Sequence, residues 1–139
     1  MEFSQERMES LNDNQLYQTL GLRIREAAQG KAVSILTPRP EVCWPFPGQP
    51  HGGVLFTLLD TTMAWAVWSE LEAGFNCATI HLDIQYPLPA KGDRFSCRCS
   101  VDQRTRAMRF VSGRVLDSEG RIVALGQATF RVIRSTVLD

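Results

Sequence analysis

Residues 52–72 read GGVLFTLLDTTMAWAVWSELE, the one stretch of this chain that reads as a long helix. It begins where a loop stops, because prolines at 38, 40, 45, 47 and 50 forbid regular structure from Thr37 to Pro50. Ala73-Gly74 ends it, with Gly74 as the expected C-cap. Placed at about 100° per residue, the run is not simply amphipathic. Leu58 and Trp65 fall on one side, Leu59 and Ala66 on another, and Phe56, Met63 and Val67 on a third. Such a helix is expected to be buried on nearly every side.

The flanking sequence supplies what buries it. Phe3 to Leu20 is polar with scattered apolar residues and is expected to be partly helical; Leu22–Arg25 and Lys31–Leu36 read as two strands joined at Gly30. After the helix, Thr79–Tyr86 alternates strictly, with Ile80, Leu82, Ile84 and Tyr86 on one face and Thr79, His81, Asp83 and Gln85 on the other. Phe95–Val101, Met108–Leu116 and Arg121–Ile133 follow as strands, separated by turns at Gln103–Arg106 and Asp117–Gly120. The pattern predicts an α+β domain spanning residues 1–139, with a largely antiparallel sheet around one central helix.

Composition narrows the function. The 15 basic and 15 acidic side chains cancel, so no global charge points to nucleic acid or an anionic membrane. The start of the chain lacks a basic, apolar leader, and the run from Val54 to Trp68 is interrupted by Asp60 and too short to span a bilayer. The four cysteines have no zinc-site spacing, and Cys97 and Cys99 are expected to share one strand face as small core residues. A reduced, cytoplasmic protein without a metal site is the plain expectation.

Two features of the helix suggest chemistry. Asp60 falls between Phe56, Ala64, Val67 and Leu71, and a buried carboxylate costs several kcal/mol unless it is paired or used. It is either an edge carboxylate bonded to Thr57 or Thr61, or a working base or nucleophile. Gly52 and Gly53 open the helix, where unsatisfied N–H groups favour a developing negative charge and the lack of side chains lets a substrate approach. Alternatively, the glycines merely ease the loop into the helix. Asp60 lies eight residues beyond Gly52, about 12 Å along a helix. One helix therefore cannot aim both at one carbonyl, whereas two antiparallel copies could.

His51-Gly52-Gly53, Asp60, and the strand from Thr79 that ends Tyr86-Pro87-Leu88-Pro89-Ala90 together resemble the hotdog-fold acyl-CoA thioesterases of the phenylacetate-degradation (PaaI-like) type. The resemblance implies a curved antiparallel sheet of about five to six strands wrapped around the helix. It implies a homodimer or dimer of dimers, and hydrolysis of acyl-CoA thioesters with no metal and no cofactor beyond the coenzyme A of the substrate. Carried over, the Gly52 N–H holds the thioester carbonyl oxygen, Asp60 of the facing subunit attacks the carbonyl or activates water, and Thr79 positions the water or the acid. His51 and Gly53 belong to the substrate-binding turn, with His51 orienting the loop. Lys91, Arg104 and Arg106, exposed bases at turns, are candidate phosphate contacts or an ordinary solvated surface. Phe56, Trp65 and Trp68 either line an acyl pocket or pack in the core or an interface.

Related enzymes commonly carry Asn or Gln six residues before the histidine, where this chain has Pro45; Gln49 is the nearby amide that stands closest to that role. Phe46-Pro47-Gly48-Gln49-Pro50 also resembles a hydroxyacyl-thioester dehydratase motif, but Pro45 replaces the histidine which that chemistry needs. A non-catalytic acyl-CoA-binding or sensing protein is the alternative from another class, and Asp60 argues against it.

Overall fold

The computed structural model describes residues 1–135. Two short helices, α1 (Gln5–Asn12) and α2 (Gln15–Leu20), precede strands β1 (Leu22–Ala28) and β2 (Lys31–Leu36). The long helix α3 (Gly52–Trp68) is followed by β3 (Phe75–Gln85), β4 (Phe95–Arg104), β5 (Met108–Leu116) and β6 (Ile122–Arg134). The strands form one six-stranded sheet in the order β1-β2-β4-β5-β6-β3, antiparallel at every pairing. This is the expected α+β architecture, with β3, the strand that follows the helix, as a free edge.

The sheet wraps α3. Leu55, Leu58, Leu59, Met63, Ala66 and Val67 are essentially inaccessible and pack on Leu36, Phe95, Cys97, Val115, Val123 and Phe130 from the strands. The closest approach is over the centre of the sheet, where Gly113 of β5 is the register partner of Gly126 of β6. A Cβ on Gly113 would lie 2.5 Å from Cys99 Sγ and 3.0 Å from Leu59, and one on Gly126 would lie 3.2 Å from Leu59. The paired glycines thus clear the space into which Leu59 and Met63 settle. The expected placement of Cys97 and Cys99 on the core face holds, with both buried.

α3 ends earlier than its sequence suggests. Its C-cap is Ser69, not Gly74, because the Ser69 hydroxyl donates to the Ala66 carbonyl at 2.7 Å and accepts from the Gly30 N–H at 3.0 Å. A side chain competing for backbone groups in this way stops a helix. Gly74, at φ 82°, instead turns the chain into β3. On this flank Phe3, Trp65 and Trp68 form an aromatic cluster with ring centroids 4.8–5.1 Å apart, and Trp65 Nε1 donates to Tyr17 Oη at 2.8 Å. The two tryptophans are core residues beneath the N-terminal segment, so they do not line a pocket.

The expectation of all-round burial fails on one side. Gly53, Phe56, Thr57, Asp60, Thr61 and Ala64 form a continuous stripe that is exposed or half-buried. One sheet covers one side of the helix and the N-terminal segment another, and nothing among the described residues covers the third. Among the described residues no helix is long and apolar enough to cross a membrane.

Candidate active site

The proline-rich loop is pinned where it meets α3. Trp44 N–H donates to the Gln49 carbonyl at 2.8 Å, Gln49 N–H to Phe46 at 3.1 Å, and His51 N–H to Val42 at 2.9 Å. These bonds deliver His51 to the N-cap position, where its Nδ1 accepts from the Gly53 N–H at 2.8 Å. That contact makes Nδ1 the unprotonated nitrogen and leaves the proton of a neutral ring on Nε2. Gly53, expected to offer its N–H to substrate, already spends it on His51. The Gly52 N–H has no partner among the described residues and is the open donor at the head of the helix.

A residue to which the sequence reading gave no role holds this turn in place. Tyr86, at the end of β3, donates its hydroxyl to the Gly52 carbonyl at 2.7 Å. A Cβ on Gly52 would lie 3.3 Å from Tyr86 Cζ and Oη, so the ring occupies the space that any side chain at position 52 would need. The two residues are 34 positions apart, and no spacing rule joins them. Partial desolvation raises the Tyr86 phenol from its ordinary pKa.

Asp60 sits on the open stripe of α3 and is half-buried, not fully buried as its apolar sequence neighbours suggested. Neither Thr57 nor Thr61 is its partner: Thr57 Oγ1 donates back to the Gly53 carbonyl at 3.0 Å. Asp60 Oδ1 instead accepts from Thr79 Oγ1 at 2.8 Å. Thr79 reaches it through a β-bulge. Register runs Thr79↔Phe130 and then His81↔Thr129, leaving Ile80 as the extra residue. Thr79 therefore shares the helix-facing side with Cys77, Leu82 and Ile84, and His81, Asp83 and Gln85 face outward. The expected common face for Thr79 and His81 is corrected by that single inserted residue. Cys77, one step inward, has its thiol pKa pushed up to about 12 by burial and, secondarily, by the Asp60 charge.

The remaining predicted residues separate along the helix axis. Lys91 is exposed beside Gly92, whose N–H donates to Gly48 at 2.8 Å, which puts Lys91 at the Gly52 end. Arg104 is at the opposite end, bound to Glu70 at 2.6 and 2.8 Å, with Arg109 on the other Glu70 oxygen at 2.5 Å. Arg106 is exposed in the turn beyond it. A 17-residue helix separates these ends by about 24 Å, so one chain does not gather the three bases around Gly52. Gln49 is half-buried two positions before His51. Next to His51 and Thr57, a groove of about 530 Å³ is walled by Leu20, Val42, Trp44 and Val54.

A six-stranded antiparallel sheet around one helix, with a free N–H at the helix start and a carboxylate on its uncovered stripe, is the hotdog architecture. The thioesterase superfamily model matches residues 48–124, from the loop into the start of β6, and the chain belongs to that superfamily; it is a thioester hydrolase. The Halobacterium salinarum protein VNG_1336C, which carries an esterase name, is 31% identical over 89% of this chain and 88% of its own. Among solved structures, the phenylacetic acid degradation-related protein of Ralstonia eutropha JMP134 is 30% identical over 84% of this chain and 88% of its own, with a TM-score of 0.76. The Haemophilus influenzae thioesterase HI1161 covers all of this chain and 95% of its own at a TM-score of 0.88 and 20% identity. The PaaI-like, hotdog assignment made from His51-Gly52-Gly53, Asp60 and the strand from Thr79 to Ala90 agrees with these findings.

Proposed function

We propose that the chain hydrolyses acyl-CoA thioesters at a site shared between two copies, with Asp60 of one and Gly52 of the other acting on the same carbonyl. The observation that carries this reading is the Asp60–Thr79 contact at 2.8 Å on the uncovered stripe of α3. A carboxylate held by one hydroxyl keeps a second oxygen for a water or a thioester carbon. Asp60 accepts a proton from water as its oxygen attacks the carbonyl. The Gly52 N–H bonds the oxyanion that forms, the C–S bond breaks, and the thiolate of coenzyme A takes the proton from Asp60. Direct attack by Asp60, with an acyl-enzyme anhydride cleaved by water, uses the same groups.

The pairing follows from the free edge of β3, eleven residues long with the bulged Ile80 57% exposed. Such an edge is a template for a second copy, and two β3 edges joined antiparallel run two α3 helices antiparallel. The 530 Å³ groove beside Gly53 and Thr57 suits a bulky apolar acyl group, aromatic or medium-chain. Coenzyme A arrives with the substrate, and the reaction as written needs no other cofactor. Four unpaired cysteines suit a reducing compartment such as the cytoplasm.

The test is turnover of a panel of short-chain, medium-chain and aromatic acyl-CoAs by the folded protein and its Asp60→Asn and Asp60→Ala variants. Loss of the base is expected to lower kcat by about 10²–10⁴. Tight binding without turnover by the unsubstituted protein rejects this reading in favour of a sensor.

A further inference from the structure

The sheet face turned away from α3 carries an arrangement that the hydrolytic reading does not use. Arg98 of β4 is the direct register partner of Arg114 of β5, and Ser100 is the partner of Ser112. Lys31 of β2 is the partner of Ser100 on the other side. The two rows are one pleat repeat apart, about 7 Å along the strands. All five residues line a single concavity of about 810 Å³ across the outer face.

The three cations are unpaired. Among the described residues, Lys31, Arg98 and Arg114 have neither an ion pair nor a side-chain hydrogen bond. Elsewhere, Arg104 and Arg109 share Glu70, and Arg121 takes Asp117 and Glu119. Like charges directly opposite on neighbouring strands destabilise a sheet, and here they stand across a concave surface. Asp83 is the one carboxylate lining the concavity. It is two strand spacings from Ser112 through Gln127, about 10 Å away, and 3.9 Å from His81. Asp102 accepts from Ser100 Oγ at 3.3 Å but stands outside the lining.

We propose that this outer-face concavity is a binding site for a phosphate-bearing anion. Arg98 and Arg114 supply planar donor forks, Lys31 a third positive charge and Ser112 a hydroxyl donor, a set that matches phosphate geometry. The anion relieves the repulsion between the opposed arginines, so the site and the sheet are stabilised together. Asp60 and Thr79 are on the opposite face of the sheet, so the site is separate from the one that cleaves the thioester. Its ligand is a phosphoryl group, either free in solution or carried by a nucleotide.

The experiment is thermal unfolding of the full chain and its Arg98→Ala/Arg114→Ala variant at constant ionic strength, with sodium chloride exchanged for inorganic phosphate or for adenosine 3′,5′-bisphosphate. Without phosphate the variant is expected to unfold at or above the midpoint of the unsubstituted protein, which establishes that it folds. At about ten times the half-saturating concentration, the unsubstituted protein is expected to gain about 3–6 °C more than the variant. A larger differential for the bisphosphate identifies a nucleotide as the source, and equal differentials identify free phosphate. Equal midpoint rises in the two proteins for both ligands overturn the proposal. So does a variant that sediments as a smaller species with an unchanged anion response, since the face would then be a subunit interface.

Discussion

Thr79 Oγ1 donates to Asp60 Oδ1 at 2.8 Å across the gap between the edge strand and the helix. The bond fixes which carboxylate oxygen is occupied and which stays free. A hydrogen bond to a charged acceptor contributes about 1.5–3 kcal/mol, so Thr79→Val is expected to lower kcat on the preferred acyl-CoA about 10- to 100-fold. Thr79→Ser, which keeps the hydroxyl, should retain most of the activity. Steady-state kinetics with both variants checks this; equal losses in Val and Ser would show that the methyl packing matters and the hydrogen bond does not.

Gly52 and Tyr86 are expected to behave as a coupled pair. Gly52→Ala places a Cβ 3.3 Å from the Tyr86 ring and hydroxyl, so the helix start must shift and its N–H loses aim. A roughly tenfold or greater fall in kcat/KM is expected, in line with the sensitivity of positioned groups to small displacements. Truncating the obstacle with Tyr86→Ala in the same chain should recover part of that fall, whereas Tyr86→Ala alone should reduce activity. A double-mutant cycle measures the coupling, and strict additivity would mean that the two residues act independently.

How far the sequence discloses the site depends on the range of the interaction that sets each residue. The existence of the strands, the helix start and the loop is governed by near neighbours, through alternation, proline and the paired glycines, and was legible, although β3 begins at Phe75 and not Thr79 and the loop holds a 3-10 turn at Pro40–Val42. The face of Thr79 was not. Parity within Thr79–Tyr86 puts it with His81, but the inserted Ile80 resets parity, and a bulge belongs to the pairing with β6. The burial of Asp60 was overstated because a helical wheel reports its neighbours on the helix and not what covers them. Tyr86 on Gly52 and Glu70 on Arg104 are pairings 34 residues apart in the chain, made by the wrapping of the sheet and invisible to local patterning.

Cys77 gives a pH-dependent signature of the Asp60 environment. Its folded thiol has a pKa of about 12 against an ordinary 9.0, from burial first and the Asp60 charge second. The folded pKa is raised, so the protonated thiol stabilises the fold fully below pH 9. That contribution declines as pH climbs from about 9 toward 12, because the unfolded thiol ionises first. Between about pH 8.5 and 10.5 the unsubstituted protein should lose several degrees more of its unfolding midpoint than Cys77→Ala does. Asp60→Asn removes the secondary cause and should speed alkylation of Cys77 in the folded state. Identical pH slopes for the protein with and without Cys77 would refute the assignment.

Ile80 tests the proposed shared site without touching Asp60 or Gly52. It is 57% exposed on the free edge of β3, and the bulge that exposes it also turns Thr79 inward to Asp60. If two β3 edges join, Ile80 is covered, and Ile80→Lys places a buried charge at the seam together with its symmetry mate. Charged residues on an edge are a device that blocks edge pairing, so the variant is expected to sediment as a monomer at micromolar concentration. Within each separated chain the Asp60–Thr79 bond and the Gly52 turn persist, yet Gly52 and Asp60 remain about 12 Å apart on one helix. Activity per subunit should therefore fall at least about 100-fold at low concentration, since an oxyanion donor alone is worth about that much. It should recover as the concentration is raised, because reassociation rebuilds the site. A monomeric Ile80→Lys protein with full, concentration-independent activity would overturn the shared site.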